Sequence, residues 1–237
     1  MGKQLGCVNG NGLFDELSQK ARISKPRARR TIENALRRRG FVHVAGVDEV
    51  GRGCLAGPVF AAAVILDPTR PISGIRDSKQ LTPAKRERLY DEIIKVATGW
   101  AVADVGPDEI DRLNIHQASL KAMSEAVAAL DPAPNFVLVD TFQIPGLLRA
   151  QRAVIHGDIR CTAIAAASIV AKVQRDHFMR VLHEQDPRYG FDRHKGYATA
   201  MHLKALKRFG YSNTHRQSFR VSSLFDISMS DRVRLES

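Results

Sequence analysis

Val44-Ala45-Gly46-Val47-Asp48-Glu49-Val50-Gly51-Arg52-Gly53 runs from apolar residues into a carboxylate pair and then into an arginine between glycines. Residues 42–47 are too few for a helix and rich in valine, which predicts a buried strand with Asp48 at its end. Residues 59–66, β-branched and Ala-rich, predict a second. Outward from this pair the pattern alternates. Thr82-Pro83 starts a helix, with the threonine as N-cap and the proline in the first turn. Residues 100–105 read as a strand, 114–130 as a helix, 136–139 as a buried strand ending in Asp140, and 153–155 as a further short strand. Residues 162–184 form a long helix, apolar in its first half, and 199–209 a helix carrying Lys204, Lys207 and Arg208. Strands that cluster first and later alternate with helices predict an α/β fold, a mixed sheet with helices on its faces and a helical C-terminal region.

Three acids follow apolar strands: Asp48, Asp140 after Phe136-Val137-Leu138-Val139, and Asp158 after Val154-Ile155-His156-Gly157. Glu49 adds a fourth. A carboxylate at the rim of a buried sheet is expensive unless something compensates its charge, and strand ends are where ligands gather in α/β sheets. Converging carboxylates repel one another unless a cation joins them. Hard oxygen donors select Mg²⁺ or Mn²⁺, held by a few carboxylates together with substrate phosphate oxygens. Taken singly, a helix cap or a turn is the commoner fate of an aspartate; it is the set of three with an adjacent glutamate that favours a metal site.

The chain has 237 residues and a net charge of +11, unevenly spread. Residues 1–42 carry ten Lys/Arg against three Asp/Glu, and residues 187–220 eight against one, whereas residues 43–186 are nearly balanced. A near-neutral centre between basic flanks suits a site that holds cations while its margins hold a polyanion. No run of about 18 apolar residues suggests a membrane span. Cys7, Cys54 and Cys161 are widely separated, which disfavours a disulfide framework or zinc site and fits a reducing cytoplasm. Residues 1–40 are expected to form a partly ordered basic extension, with one helix over 31–39 capped by Thr31; no specific role is read from it, and nonspecific duplex binding is a hypothesis that deleting residues 1–40 tests. The catalytic body is placed at 41–225 and a flexible tail at 226–237.

Together the motifs resemble bacterial ribonuclease HII. They are Val47-Asp48-Glu49-Val50-Gly51-Arg52-Gly53 with Leu55-Ala56-Gly57-Pro58-Val59, Asp77-Ser78-Lys79 with Leu81, Val139-Asp140, and Gly157-Asp158. After these come Ala171-Lys172-Val173 with Arg175-Asp176, Lys195-Gly196-Tyr197, and His215-Arg216 with Ser218-Phe219. The resemblance spans roughly residues 42–220. It implies a ribonuclease H-like fold, cleavage of RNA in RNA–DNA hybrids, and incision at single ribonucleotides in duplex DNA that leaves a 3′-hydroxyl and a 5′-phosphate.

Carried onto this chain, the resemblance makes Asp48, Glu49, Asp140 and Asp158 the metal-binding catalytic acids. Gly51, Arg52 and Gly53 would read the ribose 2′-hydroxyl and flanking phosphates, and Tyr197 would stack on the neighbouring sugar. Lys79 and Lys172 join the substrate-binding positions. Lys195, Lys204, Lys207, Arg208 and Arg216 are candidates for phosphate contacts. The partners expected are hybrid and ribonucleotide-containing duplex, with no membrane, and a monomer is expected. A junction resolvase on the same superfamily fold is the alternative. A noncatalytic binding protein would have no use for clustered acids, and a phosphatase would not need two basic flanks.

Overall fold

The structure, a computed structural model, describes residues 30–219 apart from 76, 77, 79 and 80. Lys79, the tail over 226–237 and most of the basic extension therefore lie outside the described residues. Five strands form one sheet in the order β3-β2-β1-β4-β5. They are β1 (Val44–Val50), β2 (Val59–Ile65), β3 (Gly99–Val105), β4 (Phe136–Asp140) and β5 (Ala150–Val154). The first three form an antiparallel meander, while β4 runs parallel to β1 and β5 parallel to β4. The mixed α/β architecture is thus as expected.

Alternation along the strands sorts the core into two faces. Val44, Ala62, Val64 and Leu138 face the long helix α6 (Thr162–Gln185) and α2 (Pro83–Val96). Ala45, Val47, Ala63, Val137 and Val139 face α4 (Ile115–Ala128). Gly46 is why α6 lies so close: a Cβ there would overlap the backbone of Ala163. Between these elements run α3 (Pro107–Leu113), unforeseen because it is only two turns long, and α5 (Gly157–Arg160), a single turn. Beyond α6 come a 3₁₀ turn (Pro187–Tyr189), α7 (Phe191–His194) and α8 (Ala200–Phe209). These build a third cluster around Leu55, Met179, Tyr189, Phe191 and Leu206. No described helix is long and apolar enough to cross a membrane.

Two strand expectations shift. β1 does not stop at Asp48 but continues to Val50, because Asp48, Glu49 and Val50 pair with Ala62, Ala61 and Phe60. β5 begins at Ala150, three residues earlier than its apolar signal, because an edge strand leaves most of its side chains partly exposed. The cap of α2 is as read, with Thr82 accepting from Lys85 N–H, whereas Thr199, expected inside α8, caps it by accepting from His202 N–H. Thr31 is not a cap, since it is already helical in α1 (Thr31–Arg37) and Arg30 precedes it.

Helix α1 packs onto the body. Leu36 is buried in the α6 core, and Arg30 and Arg37 donate to the carbonyls of Asp67 and Leu66 at 2.7 and 3.0 Å. Buried Glu33 accepts from the N–H of Ala163 at 2.9 Å, capping α6 from outside the helix. Burial raises its carboxyl above the usual range, and its second oxygen has no described partner. Glu33→Ala is expected to lower unfolding free energy by about 1–2 kcal/mol. Glu33→Gln, which keeps the acceptor without the charge, should stay within about 0.5 kcal/mol. Urea denaturation of the two variants measures both.

Candidate active site at the β1 and β4 ends

Val47 and Val139 are register partners in adjacent parallel strands, so Asp48 and Asp140 follow side by side on the face towards α6. Asp48 is 7% exposed and accepts from the Glu49 N–H at 2.8 Å. Burial, then the charges of Glu49 and Asp140, push its carboxyl well above the usual range, against a hydrogen bond from Ser168 on α6. Ser168 also meets Ser78, oxygen to oxygen at 2.9 Å. Glu49 is raised too, chiefly by burial, with Arg52 opposing and Asp140 adding to the shift. Its Oε1 accepts from Arg52 at 3.3 Å, while Oε2 is buried without a described partner.

Asp140 accepts from Gly157 N–H at 2.7 Å and from the Thr141 hydroxyl at 3.1 Å. The first bond draws α5, and with it Asp158, to the end of β4. Thr141 (φ 59°) and His156 (φ 54°) are both left-handed. That conformation costs about 1–2 kcal/mol for a non-glycine residue, and it flanks two of the four acids.

The four acids are thus held at one end of the sheet by β1, the end of β4 and the turn after β5. Among the described residues, no group of three or more His, Cys, Asp or Glu side chains already stands in metal-ligating geometry. The donor chemistry nonetheless fits a hard divalent cation. The charges of Glu49 and Asp140 raise the proton affinity of Asp48, that of Asp140 raises Glu49, and one buried Glu49 oxygen has no described partner.

Next to the acids, residues 51–58 form a loop in which Gly51 and Gly53 differ. Gly51 is buried at φ +95°, and a Cβ there would overlap Arg175 Nε. Gly53 is exposed, with nothing within 4 Å of the corresponding point. Gly51 is therefore packed against a protein side chain, and of these two glycines Gly53 is the one that faces open space. Arg52 lies between Glu49 and the Phe142 ring, its Cζ 5.4 Å from the ring centroid.

The sequence reading missed Arg175 as a structural element and misplaced Arg216. Neither guanidinium has any exposure. Arg216, expected at a phosphate, donates instead to the carbonyls of Gly51 (2.7 Å), Arg52 (2.9 Å) and Gly57 (3.0 and 2.9 Å). Burial lowers its pKa to about 10. For Arg175 a signal existed: it falls seven residues after Ser168, on the same stripe of α6.

Tyr197 is 40% exposed, and its backbone bridges Cys54 in the loop. Lys172 Nζ lies 5.8 Å from the Tyr197 ring centroid and forms an ion pair with Asp176 at 2.6 Å. Beside them opens a groove of about 470 Å³ lined by Arg86, Arg180, Arg193 and Lys195. Lys204, Lys207 and Arg208 are partly to fully exposed on α8.

Below Tyr197 lies a histidine chain that the sequence reading passed over. Ser212 N–H donates to His215 Nδ1 at 3.1 Å, which leaves the His215 proton on Nε2. That proton faces His202 Nε2 at 3.0 Å, and His202 Nδ1 donates to the Tyr197 carbonyl at 2.9 Å. Only neutral rings satisfy this chain. Burial first, then the neighbouring histidines, lower both pKa values from 6.5 to about 4. Above pH 6.5 both folded and unfolded chains hold neutral rings, and this contribution to stability is complete. As pH falls from 6.5 towards 4, the unfolded chain takes up protons that the folded one refuses, and stability declines. Thermal unfolding scanned over that window should show a loss that His202→Asn reduces.

An α/β fold with clustered acids beside a basic groove defines a nuclease-like architecture. The ribonuclease HII family profile matches residues 45–222. A ribonuclease HII from Thiobacillus denitrificans is 57% identical over 180 residues, 76% of this chain and 88% of its own length. One from Solibacter usitatus is 53% identical over 199 residues, 82% and 85% of the two chains. The crystal structure of ribonuclease H2 from Pyrococcus horikoshii OT3 superposes with a TM-score of 0.64 at 27% identity, covering 75% of this chain and 93% of that one. The chain belongs to the ribonuclease HII family, and with it comes ribonuclease H activity, hydrolysis of the RNA strand of RNA–DNA hybrids.

Proposed function

We propose that the chain hydrolyses hybrid RNA, and incises 5′ of single ribonucleotides in duplex DNA, through a divalent ion held by Asp48, Glu49, Asp140 and Asp158. The observation that carries this is the adjacency of Asp48 and Asp140 on paired strands beside the buried Glu49 oxygen that has no described partner. When bound, Mg²⁺ or Mn²⁺ supplies Lewis-acid stabilisation of phosphoryl charge and activates water. The protein's own residues do the rest. Ser168 and the Glu49 N–H orient Asp48, and Gly157 N–H orients Asp140. The exposed edge at Arg52-Gly53 offers donors to a ribose 2′-hydroxyl, the group that separates RNA from DNA. Tyr197 offers a ring face to the next sugar, and the groove lined by Arg86, Arg180, Arg193 and Lys195 takes the following phosphates. Lys172 sits between the two, and Lys79 belongs to the same reading.

We assign the catalytic body to residues 41–225, with α1 of the preceding basic extension packed onto it and a tail over 226–237. We take the enzyme to act as a monomer in the cytoplasm on ribonucleotides left in DNA. A duplex with one ribonucleotide tests the reading: a single cut on its 5′ side, with a polymerase-extendable 3′ end, is expected. Cleavage of an all-DNA junction in preference to that duplex would favour a resolvase instead.

A further inference from the structure

We infer that Arg175 and Arg216 are positioning residues for ribonucleotide recognition, holding the 51–58 loop by its carbonyls and tying it to the Tyr197 turn. Arg216 takes the carbonyls of Gly51, Arg52 and Gly57. Arg175 takes those of Pro58 at 3.0 Å, Ala56 at 3.1 Å and, across the gap, Lys195 at 2.9 Å. Backbone pairing reinforces the tie, since Leu55 N–H donates to the Gly196 carbonyl at 2.8 Å.

A buried guanidinium is expensive unless its donors are satisfied. Neither arginine forms an ion pair with a carboxylate among the described residues; the acceptors described for both are backbone carbonyls. Only the planar fork of arginine reaches several carbonyls at once; lysine presents one point of charge. With the carbonyls of residues 51, 52, 56, 57 and 58 drawn inward, the outward edge of the loop is Arg52-Gly53. There the backbone N–H groups have no described acceptor and Gly53 faces open space. Because Arg175 also holds Lys195, that edge and Tyr197 keep a fixed separation. A junction between a ribonucleotide and DNA spans both.

The inference rests on the proposed role of Arg52-Gly53, and the experiment separates the two. Full-length Arg175→Lys, Arg216→Lys and Arg52→Ala are compared at a temperature where circular dichroism shows each fully folded. Competition binding gives the preference for a duplex with one ribonucleotide over its all-DNA counterpart. All three variants are expected to lose about tenfold in that preference, with all-DNA affinity unchanged for the two lysine variants, as a displaced contact edge would do. If Arg52→Ala alone loses the preference, the clamp is overturned and the reading of Arg52-Gly53 stands. Unchanged preference in Arg52→Ala overturns both. An equal loss of affinity for both duplexes in the lysine variants would mark a merely structural role and also overturn the clamp. Should the lysine variants not fold, Gly53→Ala touches the outward edge without touching either arginine. Its unchanged preference would overturn the inference as well.

Discussion

Asp48→Asn is expected to lower cleavage of an RNA–DNA hybrid by about 1,000-fold, the equivalent of roughly 4 kcal/mol in the transition state. The same change should raise the melting temperature of the metal-free protein. Asp48 is buried beside Glu49 and Asp140, and its charged form is penalised by burial and by both neighbours. Asparagine keeps the shape and removes the charge. A gain on the order of 1 kcal/mol, or roughly 2–4 °C, is expected for a chain of this size. Initial rates with a fluorescent hybrid and a thermal melt in chelator check both halves. A variant less stable than wild type without metal would mean that the acids are not held together against repulsion.

Gly51→Ala and Gly53→Ala should differ sharply although the two residues flank one arginine. At Gly51 the added methyl overlaps Arg175, and the backbone is left-handed. The conformation costs about 1–2 kcal/mol and the overpacking about 1–3 kcal/mol more. Gly51→Ala is therefore expected to lose much of its stability, and its activity with it. At Gly53 the methyl meets no atom within 4 Å. Gly53→Ala should melt within a degree or two of wild type, so any loss of substrate preference reports on recognition rather than folding. Equal melting temperatures for the two variants would contradict this account of the loop.

The strands and long helices were legible because their signals are local: apolar runs of four to eight residues, and a Thr-Pro cap such as Thr82-Pro83. Asp48, Asp140 and Asp158 were legible as carboxylates that follow apolar strands, with Glu49 beside the first, though only pairing shows that β1 runs on to Val50 and sets Asp48 beside Asp140. What stayed hidden depends on contacts between residues far apart in sequence. Arg216 reads as a surface cation until the carbonyls of Gly51 and Gly57, more than 150 residues away, are seen to absorb it. His202 carries no local signal, and His215 stands out only beside Arg216, until the two rings meet beneath Tyr197. Glu33 lies in a segment whose composition reads as a solvated basic arm, yet it caps α6. Short helices such as α3 and α5 give too little periodicity to register.

The central claim is that these acids, through a divalent ion, cut at a ribonucleotide. It is tested most directly by single-turnover cleavage of a duplex carrying one ribonucleotide, using wild type and Asp140→Asn in Mg²⁺, Mn²⁺ and chelator, with duplex binding measured in parallel. The account predicts cleavage by wild type only with an ion. Asp140→Asn should bind the duplex about as tightly and cut it about 1,000-fold more slowly. Full activity in chelator, or near-wild-type cleavage by Asp140→Asn, would contradict it.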